Sequence, residues 1–329
     1  MPKLYTGAEI VFKCLEDQKV EHIFGYPGGA VLPIYDELKN HSSLKHILVR
    51  HEQGAIHAAQ GFSRVSGKTG VVFATSGPGA TNLVTGLADA QIDSTPMVCI
   101  TGQVASHLLG SDAFQETDIV GISTPVTKWN HQVTKASDIP KVLAKAFYIA
   151  KSGRPGPVLI DITKDAQFEM FDFNYSKVTG IRSYKPVPKL ETTSLNLAAD
   201  LINNASKPLI VWGQGVILSE AEKEFQAFVE KTGIPAAWTI MGVSAIPTSH
   251  PLNVGMVGMH GNYAPNMLTN ECDLLIAIGM RFDDRVTGNL DKYAKQAKVI
   301  HFEIDQAEIN KNVKADVPVH GDAKESLTK

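Results

Sequence analysis

The chain has 329 residues, 43% of them apolar and 20% charged, which fits a globular protein of about two domains and excludes disordered or fibrous classes. A net charge of −3, with no run of Lys and Arg, leaves no electrostatic footprint for nucleic acid. No apolar stretch approaches the ~18 residues of a membrane span. The start "MPKLYTGAEIVFKCLEDQ" is polar and runs straight into a helix, and three cysteines (Cys14, Cys99, Cys272) lie far apart without zinc spacing. A reducing, cytoplasmic location is therefore expected, with buried free thiols, no nucleic acid and no membrane.

The first helix is predicted to start at Thr6, with Glu9 completing a capping box and Ala8, Val11, Phe12 and Leu15 following at helical spacing. Short apolar runs then alternate with helical patterns. The segments 22–26, 46–50, 70–75, 97–102 and 157–162 read as strands, and Glu52 to Ser66 and Ala80 to Asp93 as helices. The strand runs are nearly continuous in apolar residues, which suits a parallel sheet covered on both faces. The expectation is an α/β fold of two consecutive open, mainly parallel-sheet domains.

Between 166 and 191 the periodicity lapses, and a linker is placed there, separating a domain at 1–165 from one at 192–329. The second domain begins near Thr192, where "PLIVWGQG" reads as a strand followed by a glycine turn. Ser219 and Glu222 suggest a second capping box, opening a helix over 220–232 with Gly233 as its stop. "PAAWT", "LLIAIG" and "KVIHFEID" read as further strands, and "GDAKESLTK" as the start of a helix.

Three features point to one ligand edge. Glu52 opens a helix just past a strand, where an acid favours the helix dipole but, surrounded by small residues, can also be a buried working carboxyl. "TSGPGATN" (75–82) and "GYPGGAVLPIYDEL" (25–38) are glycine turns at strand ends, and all three would lie at the carboxyl edge of a parallel sheet, where such sheets bind ligands. "TSGPGATN" also fits an ordinary tight strand-to-helix turn, and it is not a P-loop, because no Gly-Lys-Ser/Thr follows. In the second half, "WGQGVIL" gives Gly-x-Gly but Leu218 where a third glycine would stand. Arg281 and Arg285 can either bind a diphosphate or pair with Asp283 and Asp284, and "EID" (303–305), at the end of a strand, can take ribose hydroxyls. Arg154, on a Pro-Gly-bounded turn, either braces its loop or reaches a ligand at the domain junction.

As a set, "GYPGGAVLPIYDEL", "RHEQGAIHAAQGFSRVSGKTGV", "ATSGPGATNLVTGLADAQIDSTPMV", "DAFQETDIVGISTPVTKWN", "GRPGPVLIDITKD", "GMVGMHGNYAPN", "GMRFDDRVTGNL" and "KVIHFEIDQAEINKN" closely resemble the catalytic large subunit of the acetolactate synthase (acetohydroxyacid synthase) family. The resemblance spans essentially the whole chain. It implies thiamine diphosphate-dependent decarboxylation of pyruvate and carboligation to a second pyruvate or to 2-ketobutyrate, in branched-chain amino-acid biosynthesis. It implies that Glu52 hydrogen-bonds N1′ of the cofactor's aminopyrimidine and favours the imino form that deprotonates the thiazolium.

By the same resemblance Tyr26, Gly28, Gly29 and Ala30 line the thiamine cofactor and the reacting carbon, Phe114 and Gln115 lie near the substrate, and Lys164 guards the approach. The second half resembles an FAD-binding domain. There Gly213, Gln214, Gly215, Thr239, Met241, Met259, His260, Gly261, Gly279, Arg281, Asp283, Arg285, Glu303, Ile304 and Asp322 match flavin-contacting positions, joined by Arg154. A homodimer or tetramer with the site at the subunit interface is implied, with a small regulatory subunit as a further partner. The family's Gly-Asp-Gly motif, whose domain holds Mg²⁺ and the cofactor's diphosphate, does not occur here. The expectation is a truncated chain carrying the pyrimidine half of the site and making no acetolactate alone. Pyruvate oxidase-like flavoenzymes and a non-catalytic nucleotide-binding module are the alternatives; glyoxylate carboligases lack the acid that Glu52 supplies.

Overall fold

The computed structural model describes residues 3–329. Its backbone divides into two compact units, one ending at Tyr184 and the other running from Lys185 to Lys329. In the first unit the strands are β1 (Leu4–Thr6), β2 (His22–Gly25), β3 (Lys45–Leu48), β4 (Gly70–Ala74), β5 (Met97–Gln103), β6 (Trp129–Val133), β7 (Pro157–Thr163) and β8 (Met170–Asp172). Its helices are α1 (Gly7–Asp17), α2 (Leu32–Glu37), α3 (Glu52–Ser66), α4 (Pro78–Thr81), α5 (Val84–Ile92), α6 (Ile119–Ser123), α7 (Ile139–Lys151) and α8 (Lys164–Phe168).

Six of these strands form one parallel sheet in the order β3-β2-β4-β5-β7-β6. The apolar runs are continuous because both faces are covered. Val71 and Phe73 of β4 join α1 and α7 in one core, while Val72 and Ala74 join α3 and α5 in the other. Thr6 and Glu9 make the expected capping box. The stretch 166–191 is not featureless: Ala166 and Gln167 are buried in α8, and β8 pairs antiparallel with β1, so this segment packs on the first unit as far as the division after Tyr184.

In the second unit the strands are β9 (Pro208–Trp212), β10 (Ala236–Trp238), β11 (Asn253–Met256), β12 (Leu274–Ile278), β13 (Lys298–Glu303) and β14 (Val317–His320). They form a parallel sheet ordered β11-β10-β9-β12-β13-β14, the doubly wound order in which the strand order reverses between β9 and β12. The helices are α9 (Thr192–Asn204), α10 (Gln214–Leu218), α11 (Glu222–Thr232), α12 (Tyr263–Glu271), α13 (Asp284–Thr287) and α14 (Ala323–Thr328). Trp212, fully buried, packs against Phe225 of α11.

Two readings are corrected. Ser219 and Glu222 do not form a capping box: α11 starts after Ala221 with no side-chain cap. Glu220 adopts φ +52°, and the Ser219 hydroxyl is committed to the Asp322 carboxylate at 2.9 and 3.0 Å. The helix expected over 80–93 is two pieces, α4 and α5, separated at Asn82–Leu83. Among the described residues no helix is long and apolar enough to cross a membrane. All three cysteines are buried and unpaired, and burial pushes their thiols up, Cys272 to about 11.

Replacing Thr6 by Ala removes one half of the reciprocal cap, and is expected to lower unfolding free energy by about 1 kcal/mol in urea titration, with Thr6→Ser near wild type.

Candidate active site

In the first sheet the strand order turns between β2 and β4, so a crevice opens outside their carboxyl ends. Glu52, the first residue of α3, is buried there. Its Oε2 accepts a hydrogen bond from Asn82 Nδ2 at 2.9 Å; among the described residues Oε1 accepts none. The carboxylate lies against Gly79, where a Cβ would be 3.3 Å from Oε1 and 2.7 Å from Thr75 Cγ2. The break between α4 and α5 at Asn82 coincides with this contact.

Thr75 is the centre of the edge. A Cβ on Gly28 would fall 2.5 Å from Thr75 Cβ, and Thr75 Oγ1 accepts the Ala30 amide at 3.2 Å. Gly77, at φ +57°, brings the Gly-Pro-Gly turn against Gln115, whose carbonyl oxygen would lie 2.7 Å from a Cβ there. The structure thus gathers Gly28, Ala30, Glu52 and Gln115 around one turn. Gly29 differs from its neighbours: nothing lies within 4 Å of a Cβ built on it, so it faces open space. Tyr26 is more than a third exposed and Phe114 is 87% exposed, standing free at the rim. Lys164 opens α8 directly after β7, on the same sheet edge.

Three residues that no sequence signal marks also shape this edge: Asn82, Thr75 and Tyr35. The Tyr35 hydroxyl sits under Gly25 and meets His46 Nε2 at 3.1 Å. Burial, and then the Glu52 charge, push its phenol far above the ordinary value, so it keeps its proton. Asp161, buried in the middle of β7, takes hydrogen bonds from Thr101, Gln103 and Gln132; burial still pushes its carboxyl up. The Gln103 amide also donates to the Thr117 carbonyl, which anchors the loop that carries Phe114 and Gln115.

Arg154 is not at this edge. It precedes β7, at the opposite end of the sheet, and its Nε donates to Ser94 Oγ at 2.9 Å, bracing the turn before β5.

In the second unit the expected glycines meet at the switch point between β9 and β12. A Cβ on Gly215 would lie 2.6 Å from Gly279 Cα, and one on Gly213 would lie 2.5 Å from the Gly279 oxygen. Gly279 itself has φ +59°. Gln214 opens α10 on this turn, and the Thr239 amide donates to the Trp212 carbonyl. Met241 lies in the short 3₁₀ turn 240–242, whose Gly242 abuts Gly213. The Met259 amide donates to the Arg285 carbonyl at 2.7 Å, which brings the loop holding Met259, His260 and Gly261 to the start of α13.

The acids here are largely committed. Asp283 caps α13, and Asp322 caps α14 while holding Ser219. Glu303 Oε1 accepts the Ile304 and Asp305 amides at 2.9 and 3.0 Å. Of the two readings for the arginines, pairing is what is seen: Arg281 with Asp283 at 3.6 Å and Arg285 with Asp284 at 3.9 Å, the latter pair well exposed. Beneath the turn His301, fully buried, donates from Nε2 to the Met280 carbonyl at 2.8 Å. Desolvation pushes its imidazole below the ordinary value, against the opposing pull of that carbonyl and of Glu308.

Two family models match the chain. "Thiamine pyrophosphate enzyme, N-terminal TPP binding domain" matches residues 5–122, and "Thiamine pyrophosphate enzyme, central domain" matches residues 195–329. The chain belongs to the thiamine pyrophosphate enzymes. Among curated members of this family, the acetolactate synthase large subunit of Corynebacterium glutamicum is 52% identical over 328 residues, covering 100% of this chain and 52% of its own length. The acetolactate synthase of Mycobacterium bovis is 54% identical over 323 residues, 98% of this chain and 52% of its own. The probable acetolactate synthase large subunit of Methanocaldococcus jannaschii is 51% identical over 324 residues, 98% and 55%. The chain thus spans about half the length of the curated relatives it matches.

Two outcomes follow for the thiamine pyrophosphate enzyme fold. Gly28→Ala forces a Cβ into Thr75 and is expected to lower the melting temperature by several degrees, whereas Gly29→Ala leaves it within about 2 °C; scanning calorimetry separates them. His301 is neutral when folded and ordinary when unfolded, so the unfolded chain binds the extra proton below its usual pKa of about 6.5. Stability contributed by neutral His301 is present above that value and lost as pH falls through it. Denaturant titrations from pH 7.5 to 5.5 are expected to show a decline that His301→Gln flattens.

Proposed function

We propose that this chain is the thiamine-binding and central part of an acetolactate synthase large subunit, acting on pyruvate and 2-ketobutyrate to give 2-acetolactate and 2-aceto-2-hydroxybutyrate. One observation carries the reading: a buried carboxylate, Glu52, with one oxygen fixed by Asn82 and the other unclaimed at a glycine-lined edge. That donor set fits an aminopyrimidine, because a spare carboxylate oxygen can hold a proton at a ring nitrogen and the absent side chains leave room for a ring. The names of the relatives, at 51–54% identity, supply the substrate class.

Thiamine diphosphate, when bound, supplies the carbanion chemistry by which one 2-keto acid loses carbon dioxide and joins another. The chain's own residues do the rest. Glu52 holds the proton at N1′. Gly28 and Ala30, set against Thr75, would let the cofactor approach the backbone, and Gly29 leaves open space beside them. Tyr26 borders that space, Gln115 and Phe114 border the substrate, and Lys164 stands at the approach.

The central unit takes FAD in this reading. The donor set at its switch point fits a dinucleotide: close-packed glycine backbone at Gly213, Gly215 and Gly279, with Arg281 and Arg285 as the cations for its phosphates. Among the described residues no group of three or more His, Cys, Asp or Glu is placed to hold a metal ion. Assembly as a dimer or tetramer sharing the thiamine site, a small regulatory partner and a cytoplasmic location belong to the same proposal, the last supported by three unpaired thiols.

Glu52→Gln, made in the intact enzyme, is expected to cut acetolactate formation by about 10²- to 10⁴-fold with the circular dichroism spectrum unchanged. A carboligation rate within threefold of wild type, in a folded variant, would overturn the assignment.

A further inference from the structure

Among the described residues the loop Gly28–Ala30 has no strand pairing to hold it. Its fixed point is Ala30, and both polar backbone atoms of that residue are bound by side chains. Thr75 Oγ1 takes the amide, and Gln167 Nε2 donates to the carbonyl at 2.8 Å. The same Gln167 nitrogen donates to the Ile162 carbonyl at 2.9 Å, near the end of β7. Gln167 is fully buried in α8, one turn after Lys164. The Ala30 carbonyl has nowhere else to go: it presses on Gly102, where a Cβ would lie 2.3 Å away.

Satisfying a buried carbonyl is a structural role, and any donor can play it. Gln167 does more, at a cost. Its Oε1 is buried with no hydrogen-bond partner among the described residues. An unpaired buried amide oxygen is unfavourable and calls for an explanation in function. What the amide achieves is a direct tie between two segments of the candidate site that are 137 residues apart, the glycine loop and the helix that begins at Lys164.

We propose that Gln167 is a positioning residue that sets the Gly28–Ala30 loop against the Lys164 helix, and so fixes the spacing between cofactor face and substrate entry. This rests on the thiamine reading above. Misplacing a reacting centre by ~1 Å costs on the order of 10²-fold in rate without weakening ground-state binding equally. Loss of the tie is therefore expected to fall mainly on kcat.

The test uses Gln167→Met, which keeps the volume and removes both hydrogen bonds, in the intact enzyme. Hydrogen exchange at the Ala30 and Val31 amides is expected to accelerate at least tenfold, with exchange in β5 unchanged. The kcat for acetolactate formation is expected to fall at least tenfold, while KM for pyruvate and the dissociation constant for thiamine diphosphate stay within about threefold. In a double-mutant cycle with Lys164→Met the two losses are expected to be non-additive, because both act through one piece of geometry. Unchanged exchange at Ala30 overturns the tie. Faster exchange with kcat within twofold of wild type, or equal losses in kcat and thiamine affinity, overturns the positioning role. If Gln167→Met does not fold, Gln167→Asn, which keeps a shorter donor, is read by the same criteria. A wild-type enzyme without thiamine-dependent turnover would refute the functional reading instead, and the exchange measurement would still decide the tie.

Discussion

The Glu52 carboxylate stands where it does because position 79 has no side chain. A single methyl there would collide with Thr75 at 2.7 Å and crowd the carboxylate at 3.3 Å. Close packing makes such positions all-or-none, since interiors near crystal density have no slack for another carbon. Thr75 turns this constraint into an arrangement. It fills the space left by Gly28 and Gly79 and takes the Ala30 amide, so two separate segments share one anchor. The packing around Glu52 and the position of the glycine loop both depend on that contact.

The central unit uses the same device for a different end. Gly213, Gly215 and Gly279 bring backbone against backbone at the point where its sheet reverses. There the nearby carboxylates are spent internally, on helix caps at Asp283 and Asp322 and on two amides at Glu303. In the first unit the key acid keeps an oxygen available. A parallel sheet with both faces covered leaves only its carboxyl edge for ligands, so both units are driven to the same place. Charge then separates them: a carboxylate with a spare oxygen in one, arginines paired with aspartates in the other.

Much of this was legible as pattern. Continuous apolar runs told of parallel strands, because β4 sends alternate residues into two cores rather than one. Glycine turns told of the ligand edge. What stayed hidden were side chains whose partners are remote in sequence. Asn82 looked like part of a helix, yet its amide holds Glu52 thirty positions earlier. Ser219 looked like a cap for the helix after it, yet its hydroxyl belongs to Asp322, 103 residues on. Gln167 falls in a stretch with no period that reads as a linker, yet it is among the most buried polar residues.

The sequence by itself determined the local facts: where strands run, where the first helix is capped, which positions tolerate no side chain, and which family of enzymes the motifs match. Those follow from short-range sterics and from periodicity, which need only neighbouring residues. The tertiary structure alone decided which partner the Ser219 hydroxyl serves, which oxygen of Glu52 is left over, and that Arg154 braces the edge opposite Glu52. A hydrogen bond needs donor and acceptor within about 3 Å, and no sequence pattern sets the distance between residues that only the folded sheet brings together.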